Sequence, residues 1–447
     1  MTSADLQSWI LERLAQQLDI SAEEIDPDLP FSSYGVDSAI AAGMSGELEA
    51  LLERRLDPVL LFEHPTVREL VEHLTAERPG STMPARSQAQ GPAVAVVGMA
   101  CRFPGAGDLA SYWALLRDGG NAISEVPEGR WSIDELYDAE PLKPGKVSTR
   151  WGGFIDGVED FDRRFFGVTA AEAESMDPQQ RILLELFLEA LTDAGIVPST
   201  LGRTGAGVFV GISQSEYGAM QARSRAEIGG YTGTGSALSI TANRVSYFLN
   251  LRGPSMAIDT ACSSSLVAVH QAIRSVRSGE CEVALVGGAN LLLTPEPTIA
   301  LSKAGMMAAD GSCKPFDDRA DGYVRGEGVG VIVLKALDAA TRDGDRIHAV
   351  LRGSAVQQDG RSNGLTAPNP AAQEELLRKA CCDAGVEPAD VRMVEAHGTG
   401  TRLGDPIEAA ALGRVFGSSR PIDEPLLIGS VKSNIGHLEA AAGIAGL

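Results

Sequence analysis

Residues 255–276 read SMAIDTACSSSLVAVHQAIRSV. Met256, Ala257 and Ile258 spell a short buried strand. From Cys262 onward the pattern changes. Leu266, Val269, Ile273 and Val276 recur at helical spacing, which predicts a helix with one apolar face. Cys262 therefore falls where a strand turns into a helix. Backbone N–H groups at a helix start lack intrahelical partners and the dipole there is positive, so a thiolate is favoured. Ala261, Ser263 and Ser264 are small and leave room for a substrate carbonyl. An isolated cysteine is more often a small buried hydrophobe, and that reading suits the other five. The strand–Cys–helix setting singles out Cys262 as a nucleophile.

Two later motifs bear the same way: EAHGTGT at residues 395–401 and KSNIGH at residues 432–437. With DTACSSS they resemble the β-ketoacyl synthase (ketosynthase) domain of modular polyketide synthases. The resemblance runs from Ala93 to the last residue. It implies the thiolase fold, two similar βαβ-type halves packed back to back in αβαβα layers. It also implies roles. Cys262 takes up an acyl chain as a thioester. His397 and His437 donate two N–H groups to an enolate oxygen, each such donor being worth about 3–4 kcal/mol. Lys432 supports the site electrostatically, and Thr399 and Thr401 hydrogen-bond a pantetheine arm. No metal is implied. MDPQQR (residues 176–181) and CKPFDDRADGYVRGEG (residues 313–328) match the same family, and their charges are expected to order loops.

The start of the chain has a different character. Leu6, Trp9, Ile10, Leu14 and Leu18 mark an amphipathic helix. Ile40, Met44, Leu48, Leu51 and Leu52 give a second apolar stripe; Val67, Leu70, Val71 and Leu74 give another. Ser21 with Glu24, and Thr66 with Glu69, have the spacing of capping boxes. Ser38 opens a helix directly after Gly35-Val36-Asp37. A serine there is ordinarily an N-cap. The Gly-x-Asp-Ser pattern and the FEHPT segment resemble an acyl carrier, which implies an all-α four-helix bundle with 4′-phosphopantetheine covalently on Ser38. Ala39 departs from the leucine common in carriers and removes apolar surface beside the arm. Residues 1–77 are read as the carrier. Residues 78–91, RPGSTMPARSQAQG, are a Pro-, Gly-, Ser- and Gln-rich linker. Residues 92–447 are the ketosynthase.

Composition supports a bundle followed by an α/β domain. Glycine is 50 of 447 residues, rich enough for many tight turns. AVAVVGM (residues 93–99), GVFVGI (207–212), VALVGG (283–288), VGVIVLK (329–335) and HAVLRGSAV (348–356) are short continuous apolar runs, as in a sheet covered on both faces. Helices are predicted over Leu109–Leu116, Pro178–Ala194 with Asp177 as cap, Gln373–Ala384 and Ile407–Phe416. The net charge of −22 argues against nucleic acid. Residues 1–77 hold −12 of it, a surface suited to docking on basic patches of successive enzymes. No apolar run is long enough to span a membrane. The first residues lack a signal-peptide pattern, so the expected compartment is the cytoplasm.

The partners so implied are acyl and malonyl thioesters on carrier domains, a phosphopantetheinyl transferase, other polyketide synthase domains and a second copy of the ketosynthase. Condensation competes with cysteine-dependent thioester hydrolysis, which needs one histidine and water. A thiolase would need a second catalytic cysteine, and none follows Cys382. His64, His73, His270 and His348 read as ordinary structural histidines. Leu447 lies ten residues past His437, before the glycine-rich loop with which ketosynthases continue. The expectation is a truncated ketosynthase; the competing expectation is a chain that works only as carrier or binding module.

Overall fold

In the computed structural model the described residues are 2–75 apart from 19, 37, 53–55 and 57–59, and 91–447 apart from 141–142, 203–204, 363, 418–419 and 422. Asp37 and nearly all of the expected linker lie outside them.

The first helices are α1 (Ser3–Leu18), α2 (Ser38–Leu52), α3 (Leu60–Glu63) and α4 (Val67–Thr75). Leu6, Ile10, Leu14, Met44, Leu48, Leu61, Val67, Leu70 and Leu74 form one core of their own. The Ser21–Glu24 capping box is made, and Thr66 Oγ1 accepts the Glu69 N–H. Leu51 departs from expectation: it lies at the exposed edge of its stripe.

The remainder is built on β1 (Val94–Arg102), β2 (Ile123–Glu125), β3 (Trp151–Gly153), β4 (Gly207–Gly211), β5 (Ser255–Ile258), β6 (Val283–Asn290), β7 (Gly328–Ala336), β8 (Ala349–Leu351), β9 (Met393–Glu395) and β10 (Leu427–Gly429). Six of them make a mixed sheet in the order β5-β4-β6-β7-β1-β8. The β5, β4 and β6 strands run parallel; β7 is antiparallel to both β6 and β1. Alternate side chains go to opposite faces, as strand geometry dictates. Val97, Val208, Leu285, Val331 and Val333 pack under the helix Pro178–Asp193. Val96, Phe209, Val286, Ile332 and Leu334 pack under the helix Ser264–Arg277. A second, two-stranded parallel sheet joins β9 and β10, with Leu412, Val415 and Phe416 packed nearby.

Three expectations need correction. β5 is a strand but not buried: it pairs on one side only, and Met256 is exposed. Leu266 points outward, and the covered face of its helix is Ala268, Val269, Ala272, Ile273 and Val276. The apolar run 348–356 yields only three strand residues, because its pairing with β1 ends at Leu351.

Candidate active site

The turn that holds Cys262 begins where β5 ends. Asp259 accepts the Ala261 N–H at 2.9 Å. Ser264 accepts the Thr260 N–H at 2.9 Å and donates to the Ala261 carbonyl at 2.6 Å. Ser264 is fully buried, so it ties the turn rather than making room for substrate. The turn leaves Ala261 at φ 54°, in the left-handed region that a side chain rarely adopts. Gly211 on β4 lets the helix start come close: a Cβ there would sit 2.4 Å from the Ser265 nitrogen.

Cys262 is exposed, so a substrate can reach it. Its electrostatics differ from the expected thiolate. Partial enclosure by protein pushes the thiol pKa up, and the Glu439 carboxylate pushes it further, while Lys432 pulls it down. The resting group is a thiol. The opposing carboxylate comes from 177 residues further along the chain, where nothing near Cys262 in sequence announces it.

The first histidine follows β9. Glu408 accepts the backbone N–H groups of His397 and Gly398 at 2.6 and 2.8 Å. Gly398 has φ 44°, and a Cβ there would lie 2.6 Å from Ser430 Cβ. Asp405 accepts from Gly400 and Thr401 and, with its other oxygen, from Phe316. The Thr399 and Thr401 hydroxyls are 3.1 Å apart.

The second histidine lies just past a short helix, Lys432–Ile435. His437 is buried. Its backbone is clamped by the Val324 carbonyl and the Gly326 N–H. Its Nδ1 accepts the Glu439 N–H at 3.0 Å, so the proton of the neutral ring is on Nε2. The His397 and His437 rings meet edge to face, centroids 5.4 Å apart. Burial first and then Lys432 lower the His397 pKa to about 4. His397 is nonetheless exposed by surface area, so water tempers that push. Burial, Lys432, His397 and Arg325 hold His437 well below the usual range. Both rings are thus pushed toward the neutral form. Lys432 is buried, which lowers its pKa, while Glu395 and Glu408 oppose the loss of its charge.

The fold thus gathers the expected residues. The turn holding Cys262 packs against Glu439–Ala441, directly after His437. Lys432 acts electrostatically on Cys262 and on both histidines. The other histidines are elsewhere: His270 bonds Ser354, His348 bonds Asp193, and His64 stacks on His73. Tyr323, with its ring 5.1 Å from His437, and Arg325 belong to the 313–328 segment expected only to order loops, and nothing in the sequence marks Glu408 or Glu439 as neighbours of the site. The charged residues of the 176–181 and 313–328 segments do order loops. Arg181 donates to the Met176 carbonyl, and Glu327 accepts from Ile155 and Leu292.

Ser38 belongs to the other unit, as the first residue of α2. The turn before it places Gly35 at φ 76° with open space where a Cβ would be.

The β-ketoacyl synthase N-terminal domain profile matches residues 92–340, and the C-terminal domain profile matches residues 348–447. The chain belongs to the β-ketoacyl synthase family. A phosphopantetheine attachment site matches residues 8–74 of this ketosynthase chain, so it carries covalently bound 4′-phosphopantetheine. The ketosynthase chain is 51% identical over 99% of its length to one of the phenolphthiocerol/phthiocerol polyketide synthase proteins of Mycobacterium tuberculosis, covering 24% of that protein. It is 46% identical over 95% of its length to polyketide synthase GfsA of Streptomyces halstedii, covering 6% of it. The chain thus spans about a quarter or less of these relatives. Among solved structures it resembles the oxazolomycin ketosynthase domain OzmH KS7 of Streptomyces albus JA3453, with TM-score 0.75 and 44% identity over 79% of this chain and 62% of that one. It also resembles the ketosynthase from module 6 of the bacillaene synthase of Bacillus subtilis 168, with TM-score 0.71 and 44% identity over 79% and 60%. The fold is an acyl-carrier bundle followed by a thiolase-fold domain. Among the described residues no helix is long and apolar enough to cross a membrane.

Proposed function

We propose that this chain holds a carrier and the condensing centre of a polyketide synthase, elongating an acyl chain with a malonyl-type extender. The observation that carries the reading is the pair of histidine rings, edge to face at 5.4 Å, beside the turn of an accessible cysteine. Hydrolysis needs one general base; two adjacent imidazoles suit the stabilisation of an oxyanion.

Cys262 Sγ attacks an acyl thioester, its proton leaves with the departing thiol, and an acyl–Cys262 thioester forms. His397 and His437 then stabilise the enolate oxygen as the malonyl carboxylate leaves as CO2. The enolate carbon attacks the acyl carbonyl, and the Cys262 thiolate departs. Thr399 and Thr401 line the approach as hydrogen-bonding groups for a pantetheine arm. Lys432 keeps both histidines unprotonated. The phosphopantetheine on Ser38 supplies the thioester tether.

In this reading residues 1–77 are the carrier, 78–91 the linker and 92–447 the condensing domain. Partners are acyl and malonyl carriers, a phosphopantetheinyl transferase and further synthase domains. The exposed edge of β5 supports pairing with a second copy as a homodimer. The free thiols, with one needed reduced, support a cytoplasmic site.

The test is intact mass after incubation with an acyl thioester, then with a malonyl thioester. Cys262→Ala loses the acyl adduct. His397→Ala and His437→Ala keep it and lose condensation by about 10²–10³. The reverse pattern, or free acid as the main product, overturns the reading. Incubation with coenzyme A and a transferase adds the arm to wild type and not to Ser38→Ala.

A further inference from the structure

Glu439 stands outside every motif singled out in the sequence, two residues past His437. Its backbone lies at φ 48°, a conformation that residues with a Cβ hold only when their surroundings enforce it. The enforcement is visible. The Glu439 carboxylate accepts from Nε and a terminal nitrogen of Arg325. The Arg325 side chain is only 2% exposed. It is braced in turn by Thr298 Oγ1 at 2.9 Å and by Glu216 at 3.4 Å. Glu216 is fixed by the N–H groups of Leu293 and Thr294. The residues on either side of Arg325, Val324 and Gly326, clamp the backbone of His437. One buried guanidinium thus sits between the histidine's frame and Glu439.

Glu439 touches the site from two sides. Its N–H is the donor to His437 Nδ1. Its own turn packs on the turn of Cys262, and its carboxylate is the main charge disfavouring the thiolate there. The other groups that act on Cys262 are Lys432 and Tyr323; Asp259, on the same turn, accepts the Ala261 N–H.

We propose that Glu439 is a positioning residue for both half-reactions. Its N–H keeps the His437 proton on Nε2, and its carboxylate, gripped by Arg325, holds that N–H in place and sets the charge facing Cys262. It makes and breaks no bond. Without the grip the backbone relaxes to negative φ, the N–H turns away from Nδ1, and the ring is free to place its proton on either nitrogen. With the charge removed and the shape kept, Lys432 is left facing the thiol, which then ionises at lower pH.

The inference rests on the condensing reading above, and its test separates the two. In the full chain, Cys262 alkylation by iodoacetamide is followed against pH by intact mass, and CO2 release from malonyl-coenzyme A is followed in parallel. Glu439→Gln should move the alkylation midpoint down by about 0.5–1 pH unit. Glu439→Ala should move it likewise and slow CO2 release by about tenfold or more, whereas Glu439→Gln, still able to bond Arg325, should slow it by only about threefold. A residue that only stabilises the fold would lower both rates together with the melting temperature and leave the midpoint alone. An unmoved midpoint in Glu439→Gln overturns the proposal, and so does a Glu439→Ala variant with unchanged CO2 release. If Glu439→Ala fails to fold, the alkylation midpoint of Glu439→Gln decides. If wild type releases no CO2, the condensing reading fails, and the alkylation midpoint alone decides the role of Glu439.

Discussion

Burial first, and then Lys432, His397 and Arg325, hold the His437 pKa well below the usual histidine range. A histidine whose folded pKa is lowered binds fewer protons than the unfolded chain between the two values. Stability therefore rises with pH through that window and levels off above about 6.5. For His437 the contribution lost between pH 7 and pH 5 is at most about 2 kcal/mol. Buried carboxylates such as Glu327, whose pKa burial raises, act in the opposite sense. The expected result is therefore a difference: wild type should lose more denaturant midpoint from pH 7 to pH 5 than His437→Gln does. Equal losses would mean that His437 is not held neutral by its site. At this scale the candidate groups were legible in the sequence. Cys262, His397, His437 and Lys432 each stand in a motif. Glu439 stands outside every motif and Arg325 in a segment (residues 313–328) expected only to order loops; their pairing joins residues 114 apart and leaves no local period.

At the scale of elements, the nucleophile's position depends on how close β4 comes to the helix Ser264–Arg277. Gly211→Ala would drive a methyl against the Ser265 backbone. It should cost about 1–3 kcal/mol of stability, measured by denaturation. It should also slow Cys262 alkylation, because Ser265 Oγ links that helix to the Ile444 N–H at 3.0 Å. An unchanged alkylation rate would show that the turn is insulated from β4. The apolar runs marked β1, β4, β6 and β7 well, since each is covered on both faces. They misled at β5 and Leu266. Periodicity identifies apolar residues but not which side of a sheet edge has a neighbour.

The whole molecule has separate cores. That of α1–α4 draws only on residues between 6 and 74. Leu14 is 1% exposed within it. Leu14→Ala should destabilise the bundle by about 2–5 kcal/mol. It should abolish arm attachment at Ser38 and leave alkylation of Cys262 unchanged. Coupled loss of both would mean that the units do not fold independently. Limited proteolysis should release the bundle as a resistant piece, given the composition of residues 76–90. The two-unit division was plain from the shift in charge and pattern. The small size of the β9–β10 sheet beside its six-stranded neighbour was not, since two similar halves were expected.

The order of the strands has a consequence for synthesis. Among the described residues, Val94 on β1 pairs with Ala336 on β7 and Leu351 on β8, and with no strand earlier in the chain. A ribosome adding about 5–20 residues per second takes on the order of 10–50 s to bring out those partners. Through that interval an apolar nine-residue strand, VAVVGMACR, has no edge to join. The nascent ketosynthase is thus most exposed to wrong pairing before its middle third is complete, and chaperone capture of stalled chains should peak for those ending short of Ala336.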